Sequence, residues 1–81
     1  MANLTDLLAR FENDIRFGCH SVRAEASRSA AGKALQRHRV EAMSLVDRRM
    51  IAMNASQVVD PVEEGVLDGL GMLFEWMRNP S

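Results

Sequence analysis

Few residues in this chain are of the types that carry out chemistry. It has two histidines and one cysteine among 81 residues. His38 and Glu41 stand one helical turn apart, where two metal ligands could share a face, but the order is the reverse of the Glu-x-x-His element of di-iron bundles. The supporting carboxylates of such a site are also missing. Because His38 lies near the apolar Leu35 and Ala42, we interpret it as a partly buried structural histidine.

The other candidate motifs are also incomplete. Cys19 and His20 are neighbours, so their side chains point in different directions on a helix and do not suggest a metal site. A single cysteine excludes an internal disulfide and a multi-cysteine zinc site. Gly32-Lys33 lacks the earlier glycine and the following Ser or Thr of a phosphate-binding loop. We therefore expect no catalytic residues, no metal and no cofactor.

One short segment matches a known element. His20-Ser21-Val22-Arg23-Ala24-Glu25-Ala26 resembles the His-x-Leu-Lys-Gly-x-Ala/Ser element of histidine phosphotransfer domains. The resemblance implies an exposed helix histidine that carries a phosphoryl group, with a basic residue close by. Ala24 stands where that family has a glycine, and those domains are four-helix bundles longer than this chain. Phosphotransfer at His20 therefore ranks last of three functional hypotheses.

The composition predicts a single all-α domain over residues 1–81. Hydrophobic residues make up 47% of the chain and charged residues 26%, which is typical of a small folded domain. Ala, Leu and Met are plentiful, and no proline precedes Pro61. We expect a small three-helix bundle that associates through its third helix, with helices over about 4–27, 30–54 and 61–78.

Two apolar stripes define the first two helices. The first runs from Leu4 to Ala26 and the second from Ala31 to Met53, and on one straight helix they would face opposite sides. A turn near residues 27–31, with Ser27 or Ser29 as the cap, brings both stripes to one core. The alternative is one long helix in an intertwined oligomer. Phe17 and His20 fall on the opposite face, so we expect them to be exposed.

The third helix has the clearest boundaries. Asp60 suits the N-cap, Pro61 the first helical position and Glu63 the capping box. Asn79-Pro80 ends the helix.

Its apolar arc is wider than packing on two short helices requires. The surplus predicts a partner interface at Gly65, Gly69, Met72, Leu73 and Trp76. The alternative is that Trp76 closes the end of a small core.

Charge is unevenly distributed along the chain. Residues 1–15 carry a net charge of -2, residues 16–49 carry +5 and residues 50–81 carry -4. The basic middle could contact an anionic partner through Arg16, His20, Arg23, Arg28, Lys33, Arg37 and Arg39. Because these residues spread around their helices, we favour pairing between the basic middle and the acidic third helix, within the fold or across a dimer.

The sequence thus favours a small non-enzymatic protein-protein interaction module. We expect it to self-associate, with a homodimer as the simplest form, or to dock on a larger protein as a regulator or inhibitor, like the small effectors that phages make. Nucleic-acid binding by the basic middle is the alternative. We expect a cytoplasmic location, since the sequence has one cysteine, no secretory signal and no membrane span.

Overall fold

The computed structural model describes residues 3–17, 29–57 and 59–79. Within them the chain forms four helices and no strand: α1 (Leu4–Phe17), α2 (Ala30–Arg37), α3 (Arg39–Ala55) and α4 (Pro61–Arg78). The all-α prediction is confirmed. The helix predicted over 4–27 is described as far as Phe17, which is exposed as expected. Residues 18–28 lie outside the described part, and with them Cys19 and His20.

Two helix starts follow the sequence signals. The side chain of Asp60 accepts a hydrogen bond from the backbone N–H of Val62 at 2.9 Å, and Pro61 opens α4. The Oγ of Ser29 accepts from the N–H of Gly32 at 3.1 Å at the start of α2. Each cap satisfies a donor that the first helical turn leaves unpaired.

The single helix predicted over 30–54 is wrong, because His38 divides it into α2 and α3. The backbone of His38 leaves the helical region at φ -112 and ψ 45, and its N–H bonds the carbonyl of Leu35 at 3.0 Å. The break redirects the chain, since α2 packs mainly on α1 whereas α3 packs mainly on α4. His38 itself is exposed, so its interpretation as a partly buried histidine is also wrong.

All four helices contribute to one core. Because α1 and α2 pack against each other, the alternative of one long helix is excluded. The buried apolar side chains are Leu8 and Phe11 of α1, Ala31 and Leu35 of α2, Ala42, Val46 and Met53 of α3, and Val66, Leu70, Leu73 and Met77 of α4. The chain turns away from α3 at Gln57, whose φ of 53 is the left-handed conformation common after a helix end.

Helices α1 and α4 pack closely at Gly69. A Cβ built on this glycine would lie 2.5 Å from Cδ1 of Ile15 and 3.9 Å from Cε2 of Phe11. Ile15 therefore occupies the space in which a side chain at position 69 would lie. Gly71, two residues further along α4 and on another side of the helix, has no atom within 4 Å of its built Cβ.

The close approach predicts opposite effects of filling these two glycines. Gly69→Val should lower the free energy of unfolding by about 1 kcal/mol, because the branched side chain reaches beyond its Cβ into the space between Ile15 and Phe11 and forces the end of the Ile15 side chain aside. Gly71→Ala is the matched control and should raise it by about 0.5–1 kcal/mol, because alanine favours a helix interior. Urea denaturation followed by circular dichroism measures both. Stabilisation by Gly69→Val would contradict the close packing of α1 on α4.

Candidate functional site

Four charged side chains from three helices form an ionic network around Glu12 of α1, whose side chain is 6% exposed. Arg49 of α3 donates from Nε to Oε2 of Glu12 at 2.9 Å and from Nη2 to Oε1 at 3.0 Å. Arg16 donates from Nη2 to the same Oε1 at 2.9 Å. Arg16 also bonds both oxygens of Glu63 on α4, at 2.6 and 2.8 Å. We call these four residues the Glu12 network.

Hydrogen bonding stabilises the charged forms within this network. The pKa of Glu63 lies below its ordinary value of 4.5, chiefly because Arg16 donates to its carboxylate, while burial opposes the shift. The pKa of Arg16 is raised chiefly by the bond to Glu63, and that of Arg49 chiefly by the bond to Glu12. Bidentate pairing of this kind is both stronger and more directional than a single contact.

The arrangement suits a structural clamp better than a catalytic centre. Three donated hydrogen bonds occupy the two oxygens of Glu12, so this buried carboxylate is not free to act as a base. A cavity of about 310 Å³ opens over the network and is lined by Thr5, Leu8, Ala9, Glu12, Asn13, Arg16 and Arg49. Asn13 is also engaged, since its Oδ1 accepts from Nη1 of Arg16 at 3.2 Å.

Glu63 departs from its predicted role. The sequence places it in a capping box, where its carboxylate would bond the backbone of Asp60. Instead both of its oxygens accept from Arg16. The same contact removes Arg16 from the predicted anionic-partner residues, because its guanidinium is already bonded to Glu63 and Glu12.

The described residues form no group of three or more His, Cys, Asp or Glu side chains that could hold a metal ion. His38 is exposed at the junction of α2 and α3. The segment that resembles the phosphotransfer element, including His20, falls outside the described ranges. None of the described helices is long and apolar enough to cross a membrane.

An apolar side of α4 is left at the surface. Val62, Gly65, Met72 and Trp76 follow spacings of three, seven and four residues, which place them along one side of the helix. Val62 and Met72 are exposed, whereas Gly65 and Trp76 are half-buried. A Cβ built on Gly65 meets no atom within 4 Å, so the space beside it is open. We call these four residues the outer stripe.

Two residues of the predicted interface belong to the core instead. Leu73 is fully buried, and Gly69 is covered by Ile15 of α1. The sequence predicts both residues on the outward side, because it does not show how far α1 reaches around α4. The predicted interface is thereby reduced to Gly65, Met72 and Trp76, and the structure adds the exposed Val62.

Three acidic residues, which we call the acidic border, adjoin the outer stripe. Glu64, Asp68 and Glu75 are exposed and, at 100° per residue, lie within about 40° of one another around α4, next to Met72. Glu75 lies 3.6 Å from Arg78, in a pair whose two side chains are about 60% exposed. Such an exposed pair contributes little to stability. This side of α4 therefore combines apolar and acidic character.

The predicted cationic contacts fall into three groups. Lys33, Arg37 and Arg39 are exposed around the α2–α3 junction. Arg16 is bonded within the Glu12 network. The remaining predicted residues, His20, Arg23 and Arg28, are not among the described residues.

Sequence reasoning missed the Glu12 network and the apolar residues on the outside of α3. Glu12 falls four residues after Leu8 and four before Arg16. A charged residue at the edge of a buried stripe, with an arginine one turn further on, could have indicated the Glu12–Arg16 pair. Nothing in the sequence pointed to its partner on α3.

The exposed apolar residues on the outside of α3 were also not predicted. Val40 and Ile51 are 80% and 60% exposed there.

Loss of the buried carboxylate should destabilise the fold. Glu12→Gln should lower the free energy of unfolding by about 1–3 kcal/mol, because it leaves two arginines without their shared partner. Glu75→Gln makes the same change in an exposed pair and should alter stability by less than about 0.5 kcal/mol. Urea denaturation at neutral pH compares the two variants. Equal effects would contradict a structural role for the network.

The lowered pKa of Glu63 predicts an acid-dependent loss of stability. Its ionised form is favoured in the folded state, so its contribution is present above the ordinary pKa of 4.5 and disappears as the pH falls through the lower folded value. When the pH falls from neutral to below 4.5, the free energy of unfolding should therefore decrease less for Glu63→Gln than for the wild type. Urea denaturation across this range measures the difference. Parallel pH profiles for the two proteins would contradict the assignment.

Comparison with known proteins identifies no relative whose structure could be compared with these surfaces. No family model matches the chain, and no curated protein or solved structure matches it. The functional argument therefore rests on the surfaces described above.

Proposed function

We propose that this protein is a non-enzymatic, cytoplasmic interaction module that self-associates through the outer stripe of α4. The observation that carries the proposal is the open space beside Gly65, on the same side of the helix as the exposed Met72. A second helix can approach closely at a glycine, because there is no side chain to keep the two backbones apart. The single cysteine, Cys19, fits a reducing compartment.

The residue types of the outer stripe suit this use. Trp and Met are enriched in the buried centres of protein interfaces, and tryptophan often contributes a large share of the binding energy. Met72 is unbranched, so its side chain can adapt to the shape of a partner. Covering Val62 and Met72 would also remove exposed apolar surface from water, which favours association.

The same stripe would serve a regulator or inhibitor that docks on a larger protein. We place self-association first, because the chain carries a second surface whose charge complements that of α4. That surface is the exposed cationic group around the α2–α3 junction.

Nucleic-acid binding is the second candidate function. It is favoured by the exposure of Lys33, Arg37 and Arg39 on neighbouring turns. Binding to phosphates would weaken steeply with salt, because counterions are released when the complex forms. Failure to bind a mixed-sequence oligonucleotide at low salt would eliminate this candidate.

Self-association predicts a polar substitution that leaves the fold intact. Met72→Gln keeps the length of the side chain and the helix propensity, and the wild-type side chain is exposed. It should weaken association at least about tenfold, the effect of losing roughly 1.4 kcal/mol of interface energy. Trp76→Ala should act in the same direction while largely preserving helical circular dichroism. Size-exclusion chromatography with light scattering over a concentration series measures the molar mass.

Phe17→Gln is the matched control, since it also replaces an exposed apolar side chain, but on α1. It should leave the concentration dependence of the mass unchanged. A monomeric wild type at every concentration would overturn self-association. So would a Met72→Gln variant that associates as strongly as the wild type.

A further inference from the structure

We infer that the outer stripe and its acidic border dock on the α2–α3 corner of a second copy of this chain. The corner consists of Lys33, Arg37, Arg39 and Val40. This inference rests on the proposed self-association and specifies which two surfaces meet. The contact is head-to-tail, because the surface offered by one copy differs from the surface it covers on the next.

The corner combines positive charge with apolar area. Lys33 and Arg37 are one turn apart on α2, and Arg39 and Val40 open α3 directly after His38. All four side chains are exposed, and Val40 is 80% exposed.

The positive charge of the corner comes from its three cationic side chains. The N-terminal end of the α3 dipole adds little to it, because the negative end of the α2 dipole lies at Arg37 and Glu41 lies in the first turn of α3. Carboxylates are the side chains that such a cationic surface attracts.

The acidic border of α4 supplies carboxylates next to apolar side chains. Glu64 and Glu75 are exposed on the side of α4 that adjoins Met72. The two surfaces thus match in type and are opposite in net charge, with Arg78 beside Glu75 on α4 and Glu41 beside Val40 on α3 as the minority charges. Complementary charge orients such a contact, and the apolar residues provide buried area.

Pairing of α4 with the α4 of a second copy is less favourable. An antiparallel pair around a two-fold axis would bring the acidic border of one copy close to that of the other. Like charges across an interface oppose association. The α2–α3 corner avoids this repulsion and replaces it with attraction.

Charge reversal on each surface tests the inference. One variant combines Lys33→Glu, Arg37→Glu and Arg39→Glu, and a second combines Glu64→Lys and Glu75→Lys. Each variant alone should associate at least about tenfold more weakly than the wild type, since its α4 and its corner then carry charge of the same sign and repel each other between copies. An equimolar mixture of the two should recover the association, because every contact between unlike copies again joins opposite charges.

Light scattering at low salt measures the mass of each variant and of the mixture. Asp6→Lys combined with Asp47→Lys is the matched control, since it reverses two exposed carboxylates outside the acidic border and should leave association unchanged. Raising the salt concentration should weaken wild-type association, because exposed charges are screened.

The outcomes separate the two proposals. A wild type that associates and depends on Met72, with no recovery in the mixture, overturns the corner as the docking surface and leaves the outer stripe in place. A wild type that is monomeric overturns the self-association on which the inference rests. Loss of oligonucleotide binding in the corner variant, with unchanged self-association, assigns the corner to nucleic acid instead.

Discussion

A buried carboxylate imposes the main constraint on this fold. Glu12 is almost completely removed from solvent and therefore requires donors that can replace water. Arg49 comes from 37 residues away, and Arg16 extends the network to Glu63, 47 residues further along the chain. An arrangement of α1, α3 and α4 that separated these side chains would leave a charge buried without a partner. The network thus favours one mutual placement of the helices.

That placement decides which sides of α4 remain available. Glu63 fixes the start of α4 against the end of α1, and Ile15 covers Gly69. The inner side of α4 then fills the core with Val66, Leu70, Leu73 and Met77. Its outer stripe and acidic border face away from the core, whereas the cationic corner lies at the junction of two other helices. The proposed function follows from this separation of two unlike surfaces on one small domain.

Local signals in the sequence predicted part of this structure. The caps at Ser29 and Asp60 and the extent of α4 could be predicted, because each depends on residues within one turn. The break at His38 could not, because no proline or glycine marks it, and the packing of α2 on α1 and of α3 on α4 involves residues distant in sequence. The Glu12 network and the burial of Gly69 depend on residues distant in sequence. The interface predicted on α4 therefore included Gly69 and Leu73, which belong to the core.

The contact between Ile15 and Gly69 has a consequence for how this sequence can diverge. The two positions share one volume, so a larger residue at 69 requires either a smaller residue at 15 or a displaced Ile15 side chain. Either change alone is disfavoured, by crowding in one case and by an unfilled space in the other. In any relative that preserves this helix pair, the sizes of residues 15 and 69 should co-vary.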